Sequence, residues 1–269
     1  MRDQVEMPGE PKYKKFEDWQ KKGTVYYNSF KGAKRTIPEG AAPIIMPPSG
    51  KKDEYEVIVP EHTLFEWNSG SQLTLDPLKV TNLKPTDKSK VFVYHRFTLS
   101  GKGECTWYSP VYSVHDFRKE DLAYEDDAKE ITRLYTDFTE EHPLWAAEEV
   151  AVVWPGAGKM DKAANFELLR KFTDCTRTIM PNCSPVSMGL LPDKDGKVVH
   201  ECIVPVIYTF KWSSALNDVF KIEVSDGSQV ELRSFDYLRV DRTGIVAADF
   251  GKIISFEPFF NPAVNIQPV

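Results

Sequence analysis

The sequence has few cysteines and no long apolar segment. Its four cysteines are Cys105, Cys175, Cys183 and Cys202. They are too few to stabilise a domain through disulfides, and they lack the closely spaced pairs, such as C-x-x-C, that zinc sites use. We interpret them as free, mostly buried thiols, with a bridge between Cys175 and Cys183 as the alternative. No stretch approaches the ~20 apolar residues that span a bilayer, and residues 1–22 lack an apolar signal-peptide core. These absences predict a cytoplasmic protein with no membrane partner.

The chain also lacks an excess of positive charge. Lys and Arg number 34 against 40 Asp and Glu, which gives a formal net charge of −6. A chain of this kind offers no broad basic surface to a phosphate backbone, so we expect no nucleic-acid partner. Its 269 residues are 41% hydrophobic, which is enough for one large domain or two ordinary domains with real cores.

No pattern of metal or cofactor ligands is present. The histidines are scattered without helical spacing or neighbouring cysteines: His62, His95, His115, His142 and His200. The segment 156–159 resembles the end of a phosphate-binding loop, but Val153 and Met160 replace the glycine and the hydroxyl residue that such a loop needs. Asp249, Phe250 and Gly251 form a kinase-like triplet without its companion motifs, and a plain turn is the better interpretation. We therefore predict no metal and no cofactor.

Three regions follow from the pattern along the chain. Residues 1–23 are charged and are predicted to form an N-terminal arm, and residues 24–122 form a β-rich module with strands separated by turn clusters. The predicted strands of this module cover residues 55–59, 63–67, 91–99 and 107–114. The module is either an addition that covers a pocket or a second copy of the C-terminal domain without its helices, and we favour the first because no helix precedes its strands.

Residues 123–269 show a different pattern. Ile131, Leu134, Tyr135 and Phe138 share one helical face, and Asp161 is placed to cap a further helix over residues 163–176. Strands are predicted at 150–154, 198–212, 219–224, 229–240 and 253–260. This order predicts an α+β class in which helices pack on one face of an antiparallel sheet.

Aromatic residues are dense in these strands. Tyr208, Phe210 and Trp212 alternate along one strand and share a face; together with Trp154 and Phe256 they are our candidate ligand-binding residues. An ordinary core explains the same pattern, so we expect only the residues at the open end of the sheet to touch a ligand.

Part of the sequence resembles the nuclear transport factor 2-like superfamily, which includes SnoaL-like polyketide cyclases, scytalone dehydratase and ketosteroid isomerases. The segments that carry the resemblance are residues 131–138, 150–155, 234–241, 251–256 and 259–262. The resemblance covers roughly residues 124 to 265 and is diffuse, so it indicates a fold better than an activity. It implies a cone-shaped, highly curved antiparallel sheet closed by helices around one pocket. Members of the superfamily often form homodimers, and a homodimer is expected here as well.

The resemblance also implies a candidate catalytic pair. Tyr135 matches a tyrosine that donates a hydrogen bond to an enolate, and Asp236 matches an acid kept neutral by burial. We expect both side chains to point into one pocket, close enough for a single ligand oxygen to touch each of them. Trp154 stands near the position of the isomerase general base and cannot accept a proton, so His95 or His200 would be the substitute base.

His95 has a structural interpretation as well as a catalytic one. Alternation places it on the same strand face as Val91, Val93 and Phe97, where an imidazole needs a partner. A core or interface histidine is the simpler interpretation, and a catalytic histidine is the alternative.

Three functions follow from the resemblance. The first is a cofactor-independent isomerase, cyclase or dehydratase that acts by general acid–base catalysis on a hydrophobic oxygenated molecule of polyketide or terpenoid type. The second is a binding or carrier protein for an apolar small molecule, which Trp154 in place of the base favours. The third is a module that dimerises through its sheet.

Overall fold

The computed structural model describes residues 28–46, 53–69, 73–75, 80–83, 88–113, 127–145, 150–189, 196–243 and 251–269. Strands make up 55% and helices 13% of the structure, in two large sheets with four short α-helices among the described residues. The predicted α+β cone is therefore wrong, because the fold is mainly β. The predicted arm at 1–23 lies outside the described residues.

The first sheet comes from the N-terminal half and has the strand order β1-β3-β6-β7, with β2 pairing beside β1 on β3. All its pairs are antiparallel. Its strands are β1 (Phe30–Thr36), β2 (Ile44–Met46), β3 (Glu54–Trp67), β6 (Lys88–Ser100) and β7 (Cys105–Tyr112), while β4 (Leu73–Leu75) and β5 (Val80–Leu83) pair separately.

The two strands predicted at 55–59 and 63–67 are one continuous strand, β3. Pro60 lies within it, opposite Tyr94 on β6. On the other side of β3, residues 56–58 pair with β2 and residues 62–67 pair with β1, so Pro60 falls in the interval between them. A missing N–H group costs no ladder hydrogen bond on that side, which explains how proline is tolerated in mid-strand.

The second sheet has the order β10-β12-β13-β14-β8-β9, with β11 on β12 and β15 on β13. The β8–β14 pair is parallel, and the other pairs are antiparallel. Its strands are β8 (Ala151–Trp154), β9 (Gly158–Met160), β10 (Thr173–Ile179), β11 (Val186–Gly189), β12 (Val199–Lys211), β13 (Gln229–Asp241), β14 (Lys252–Phe259) and β15 (Ile266–Pro268). The helices are α1 (Asp127–Leu134), α2 (Lys162–Leu169), α3 (Asn217–Phe220) and α4 (Pro262–Asn265), with a 3-10 turn at Ser214–Leu216.

The helices are shorter than predicted. Asp161 caps α2 as expected, since its carboxylate accepts a hydrogen bond of 2.8 Å from the N–H of Ala164. The helix ends at Leu169, however, and Thr173–Ile179 is a strand, because its threonines and its alternation of exposed and half-buried residues suit a sheet edge better than a helix. The strand predicted at 219–224 is also wrong, since Asn217–Phe220 is helical.

The described parts form three layers. One face of the second sheet packs against α1 and α2 in a large apolar cluster that includes Ile131, Leu134 and Phe166. The opposite face packs against the first sheet, where Tyr94 lies 5.3 Å from Phe235, ring to ring. Because both faces of the second sheet are covered, β12 is buried along nearly its whole length. The first sheet thus lies opposite the helical face and does not cover it.

The predicted boundary between residues 122 and 123 falls within 114–126, outside the described residues. In the described part of the chain, no helix is long and apolar enough to cross a membrane. All four cysteines are free thiols.

The turn between β8 and β9 contains two glycines that provide a matched stability test. Both adopt positive φ, 82° at Gly156 and 77° at Gly158, but a Cβ on Gly156 would lie 2.4 Å from the carbonyl oxygen of Val219, whereas one on Gly158 would meet no atom within 4 Å. We expect Gly156→Ala to lower the free energy of unfolding by about 2 kcal/mol more than Gly158→Ala, because only the former adds a backbone clash to the left-handed strain. Equal losses in urea denaturation would contradict this close approach.

Candidate functional site

Asp236 is a fully buried carboxylate at the centre of the helical face of the second sheet. It lies on β13 opposite Val204 of β12, and its neighbours on the same strand face are Leu232, Ser234 and Leu238. Strand alternation makes this face apolar apart from Ser234 and Asp236, so any hydrogen-bond donor to the carboxylate beyond Ser234 must come from another element.

Three hydroxyl groups donate hydrogen bonds to this carboxylate. The Tyr135 hydroxyl, just after α1, lies 2.7 Å from Oδ2, and the Tyr208 hydroxyl on β12 donates to the same oxygen. Ser234 Oγ donates to Oδ1 over 2.6 Å. The carboxylate therefore accepts from two phenols and one alcohol, which makes it a well-supported acceptor in an otherwise apolar layer.

Arg177 brings a positive charge to the same cluster. It lies on β10 opposite Tyr208, and its guanidinium carbon is 4.9 Å from the ring centroid of Phe138 and 5.4 Å from that of Tyr208. Its Nε is buried without a hydrogen-bond partner, and no carboxylate among the described residues lies within ion-pair distance of it. The guanidinium is thus held between aromatic faces with at least one unused donor.

Burial dominates the electrostatics of the cluster. It raises the pKa of Asp236 to about 6, although hydrogen bonds from Ser234, Tyr208 and Tyr135 and the charge of Arg177 oppose the rise. Burial and the neighbouring carboxylate also raise the pKa of Tyr135 and Tyr208 well above the usual tyrosine value. The phenols remain neutral donors, while Asp236 exchanges its proton near neutral pH.

The two residues expected to share a pocket do lie together, but in direct contact. A ligand oxygen was expected to lie between Tyr135 and Asp236, whereas the phenol donates straight to the carboxylate. Their assignment as catalytic residues stays a prediction.

All five candidate ligand-binding residues lie in the apolar core: Trp154, Tyr208, Phe210, Trp212 and Phe256. The Trp154 ring packs edge-on against Phe256 and Phe260, and its Nε1–H donates to Oδ1 of Asn165 over 2.7 Å. Of these five residues, only Tyr208 is hydrogen-bonded to Asp236.

The two proposed substitute bases are not adjacent to Asp236 along the fold. His200 is buried on the same face of β12, but it lies four positions from Val204, which is about 13 Å of extended chain. His95 lies on β6 of the first sheet. The structure therefore places neither of the two histidines that the sequence suggested as bases beside this carboxylate.

Arg177 and Ser234 were missed by sequence reasoning. Residues 163–176 were interpreted as a helix, so the strand alternation that points Arg177 at the helical face could not be applied. The signal for Ser234 was available, because a residue two positions from Asp236 on a strand shares its face. Among the described residues, no group of three or more His, Cys, Asp or Glu could hold a metal ion.

A search of protein-family models finds none that matches this chain, and a search of curated proteins finds no match either. The functional argument consequently depends on the geometry of the cluster formed by Tyr135, Arg177, Tyr208, Ser234 and Asp236, which we call the Asp236 cluster.

Proposed function

We propose that the Asp236 cluster is the acid–base centre of a cofactor-independent enzyme that acts on a hydrophobic small molecule bearing a carbonyl or enol oxygen. The observation that supports this is the guanidinium of Arg177, which lies over two aromatic rings beside a buried carboxylate and whose buried Nε has no hydrogen-bond acceptor. A buried donor without an acceptor costs about 1–3 kcal/mol, and a ligand oxygen would satisfy it.

The cluster has the parts needed to deliver a proton to such an oxygen. Arg177 would stabilise negative charge as it develops on the substrate oxygen. Tyr208, which lies between Arg177 and Asp236, would give its proton to that oxygen and recover one from protonated Asp236. Since the pKa of Asp236 is about 6, both protonation states are populated near neutral pH, as a proton shuttle requires.

One observation favours a second candidate, binding without transformation. Both oxygens of Asp236 already accept hydrogen bonds, so the carboxylate is satisfied without substrate. A carrier of an apolar, oxygenated molecule would use Arg177 alone and leave the rest of the cluster as a structural network.

Replacing Arg177 by Met tests the site under both candidates. We expect the wild type to bind 1-hydroxy-2-naphthoate at least tenfold more tightly than 2-methoxynaphthalene in fluorescence titrations, and Arg177→Met to abolish this preference. Arg170→Met removes an exposed arginine paired with Glu140 and is the matched control, which should bind as the wild type does. The free energy of unfolding of Arg177→Met should not fall, because methionine fills the space without an unsatisfied donor. An unchanged preference would contradict a site at Arg177.

Exchange of the α-protons of 2-tetralone for deuterium separates the two candidates. An acid–base enzyme should accelerate this exchange, measured by NMR in heavy water, and Tyr208→Phe should slow it at least tenfold. If binding of the naphthoate depends on Arg177 but the deuterium exchange is not accelerated, the result contradicts the enzyme and supports the carrier protein.

A further inference from the structure

A row of polar side chains in contact crosses the first sheet, on the face that points away from the second sheet. Nε2 of His95 on β6 lies 3.3 Å from Oε1 of Glu61 on β3, and Nδ1 of His95 lies 2.8 Å from the hydroxyl of Tyr108 on β7. Three neighbouring strands thus contribute one residue each. Strand alternation sends the adjacent Tyr94 and Arg96 to the opposite face, where they meet Phe235 and Tyr237 of the second sheet.

The charge of Glu61 determines which atoms donate and which accept along this series of side chains. Burial raises the pKa of this carboxyl, but its contacts with His95, Thr63 and Arg35 outweigh burial and leave the pKa below its usual value. The carboxylate is therefore ionised, and it favours the imidazole tautomer with the proton on Nε2. The 3.3 Å contact lacks the angle of a direct hydrogen bond, so its effect is electrostatic. Nδ1 is left as the acceptor, and the hydroxyl of Tyr108 donates to it.

This arrangement matches a nucleophile, a base and an orienting acid. Tyr108 holds the position of the nucleophile, His95 that of the base and Glu61 that of the acid that sets the tautomer. The rings of His95 and Tyr108 are nearly parallel, at 15°, and Phe97 packs against Tyr108 with centroids 5.0 Å apart, which fixes the geometry. The side chains of His95 and Glu61 are 15% and 16% exposed, so solvent reaches the chain.

We propose that Glu61, His95 and Tyr108 form a second, acyl-transfer site for small aryl esters, with Tyr108 as the nucleophile. An acyl ester suits the site because attack by a phenol oxygen needs a base and no metal or cofactor. An aryl leaving group also suits it, since Phe97 supplies an aromatic surface beside the phenol. This site is independent of the Asp236 cluster, which lies on the far face of the second sheet.

The reaction balances with water as the only co-reactant. The proton of the Tyr108 hydroxyl passes to Nδ1 of His95 while the phenol oxygen bonds to the acyl carbon, and the bond from the acyl carbon to the aryl oxygen breaks. His95 returns the proton to the departing aryl oxygen. Water then transfers one proton to His95 and its hydroxyl to the acyl carbon. The bond from the acyl carbon to the Tyr108 oxygen breaks, the carboxylic acid leaves, and the proton on His95 restores the Tyr108 hydroxyl.

Acetylation by p-nitrophenyl acetate tests the proposal on the wild-type protein. Peptide mass spectrometry should show Tyr108 acetylated at least tenfold faster than Tyr55, which is exposed and lies on the same strand as Glu61. Release of p-nitrophenol should continue after the first turnover, since the acyl tyrosine is hydrolysed. Tyr108 reacting no faster than Tyr55 would overturn the proposal without any variant.

Two variants identify the roles of the other residues. His95→Gln should remove the rate advantage of Tyr108 over Tyr55, whereas an unchanged ratio in a folded variant would overturn the role of His95. Glu61 acts through His95 and is a positioning residue. Glu61→Gln should slow Tyr108 acetylation at least fivefold without changing that of Tyr55, because it removes the charge that sets the imidazole tautomer, and Glu61→Asp should restore part of the rate. Loss of rate in both variants alike would reduce Glu61 to a structural role.

Discussion

Truncation of Trp154 to alanine is expected to lower the free energy of unfolding by about 4 kcal/mol, because a buried tryptophan leaves a large cavity. The side chain is 1% exposed and contacts the rings of Phe172, Phe256 and Phe260 edge to face. The truncation also removes the donor that satisfies Oδ1 of Asn165, which is itself fully buried. Urea denaturation at fixed pH measures the loss.

Two further variants separate packing from hydrogen bonding at this position. Trp154→Phe keeps most of the ring and should cost about 2 kcal/mol, since the acceptor on Asn165 is left without a donor. Adding Asn165→Leu to Trp154→Phe should recover part of that loss, because it removes the orphaned amide. If Trp154 lined an open ligand cavity, as the sequence suggested, Trp154→Ala would cost less than about 1 kcal/mol, and that result would contradict the core position.

Strand positions were predictable from the sequence, whereas the fold class was not. The strands predicted at 150–154, 198–212 and 229–240 match β8, β12 and β13 to within one or two residues, because β-branched and aromatic alternation is strong there. The helix predicted at 163–176 was half wrong, since periodicity cannot show that a threonine-rich segment will pair with the edge of β12. Helical content was overestimated for that reason, and the α+β class failed with it.

The candidate site was predictable only in part for a similar reason. Tyr135 and Asp236 were singled out by their match to positions in the superfamily that the sequence resembles, and the structure brings them into contact. Arg177 depends on the register between β10 and β12, which no local signal specifies. The chain from Glu61 through His95 to Tyr108 crosses three strands, so sequence could identify His95 as needing a partner but could not name the partners.

The stability of the protein should depend on pH through Asp236. Its pKa is about 6 in the folded protein, above the ordinary aspartate value of 3.8, so the folded state binds the proton more tightly than the unfolded state. The stabilisation is fully present below about pH 4 and is lost as pH rises through about 6. The wild type should therefore lose about 3 kcal/mol of unfolding free energy between pH 4 and 7 relative to Asp236→Asn, since each pKa unit corresponds to about 1.4 kcal/mol.

Comparison with Asp236→Asn is needed because other groups titrate in the same range. Burial raises the pKa of Glu257, which adds to the slope, whereas the lowered pKa of Glu61 acts in the opposite direction. The asparagine oxygen can accept from the two phenols in place of Oδ2, and its amide can donate to the Ser234 hydroxyl. Asp218→Asn, at an exposed position of α3, changes the net charge equally and should keep the wild-type pH dependence. If Asp236→Asn kept the wild-type pH dependence of stability as well, the carboxylate would be ionised throughout this range, and it could not return a proton to Tyr208.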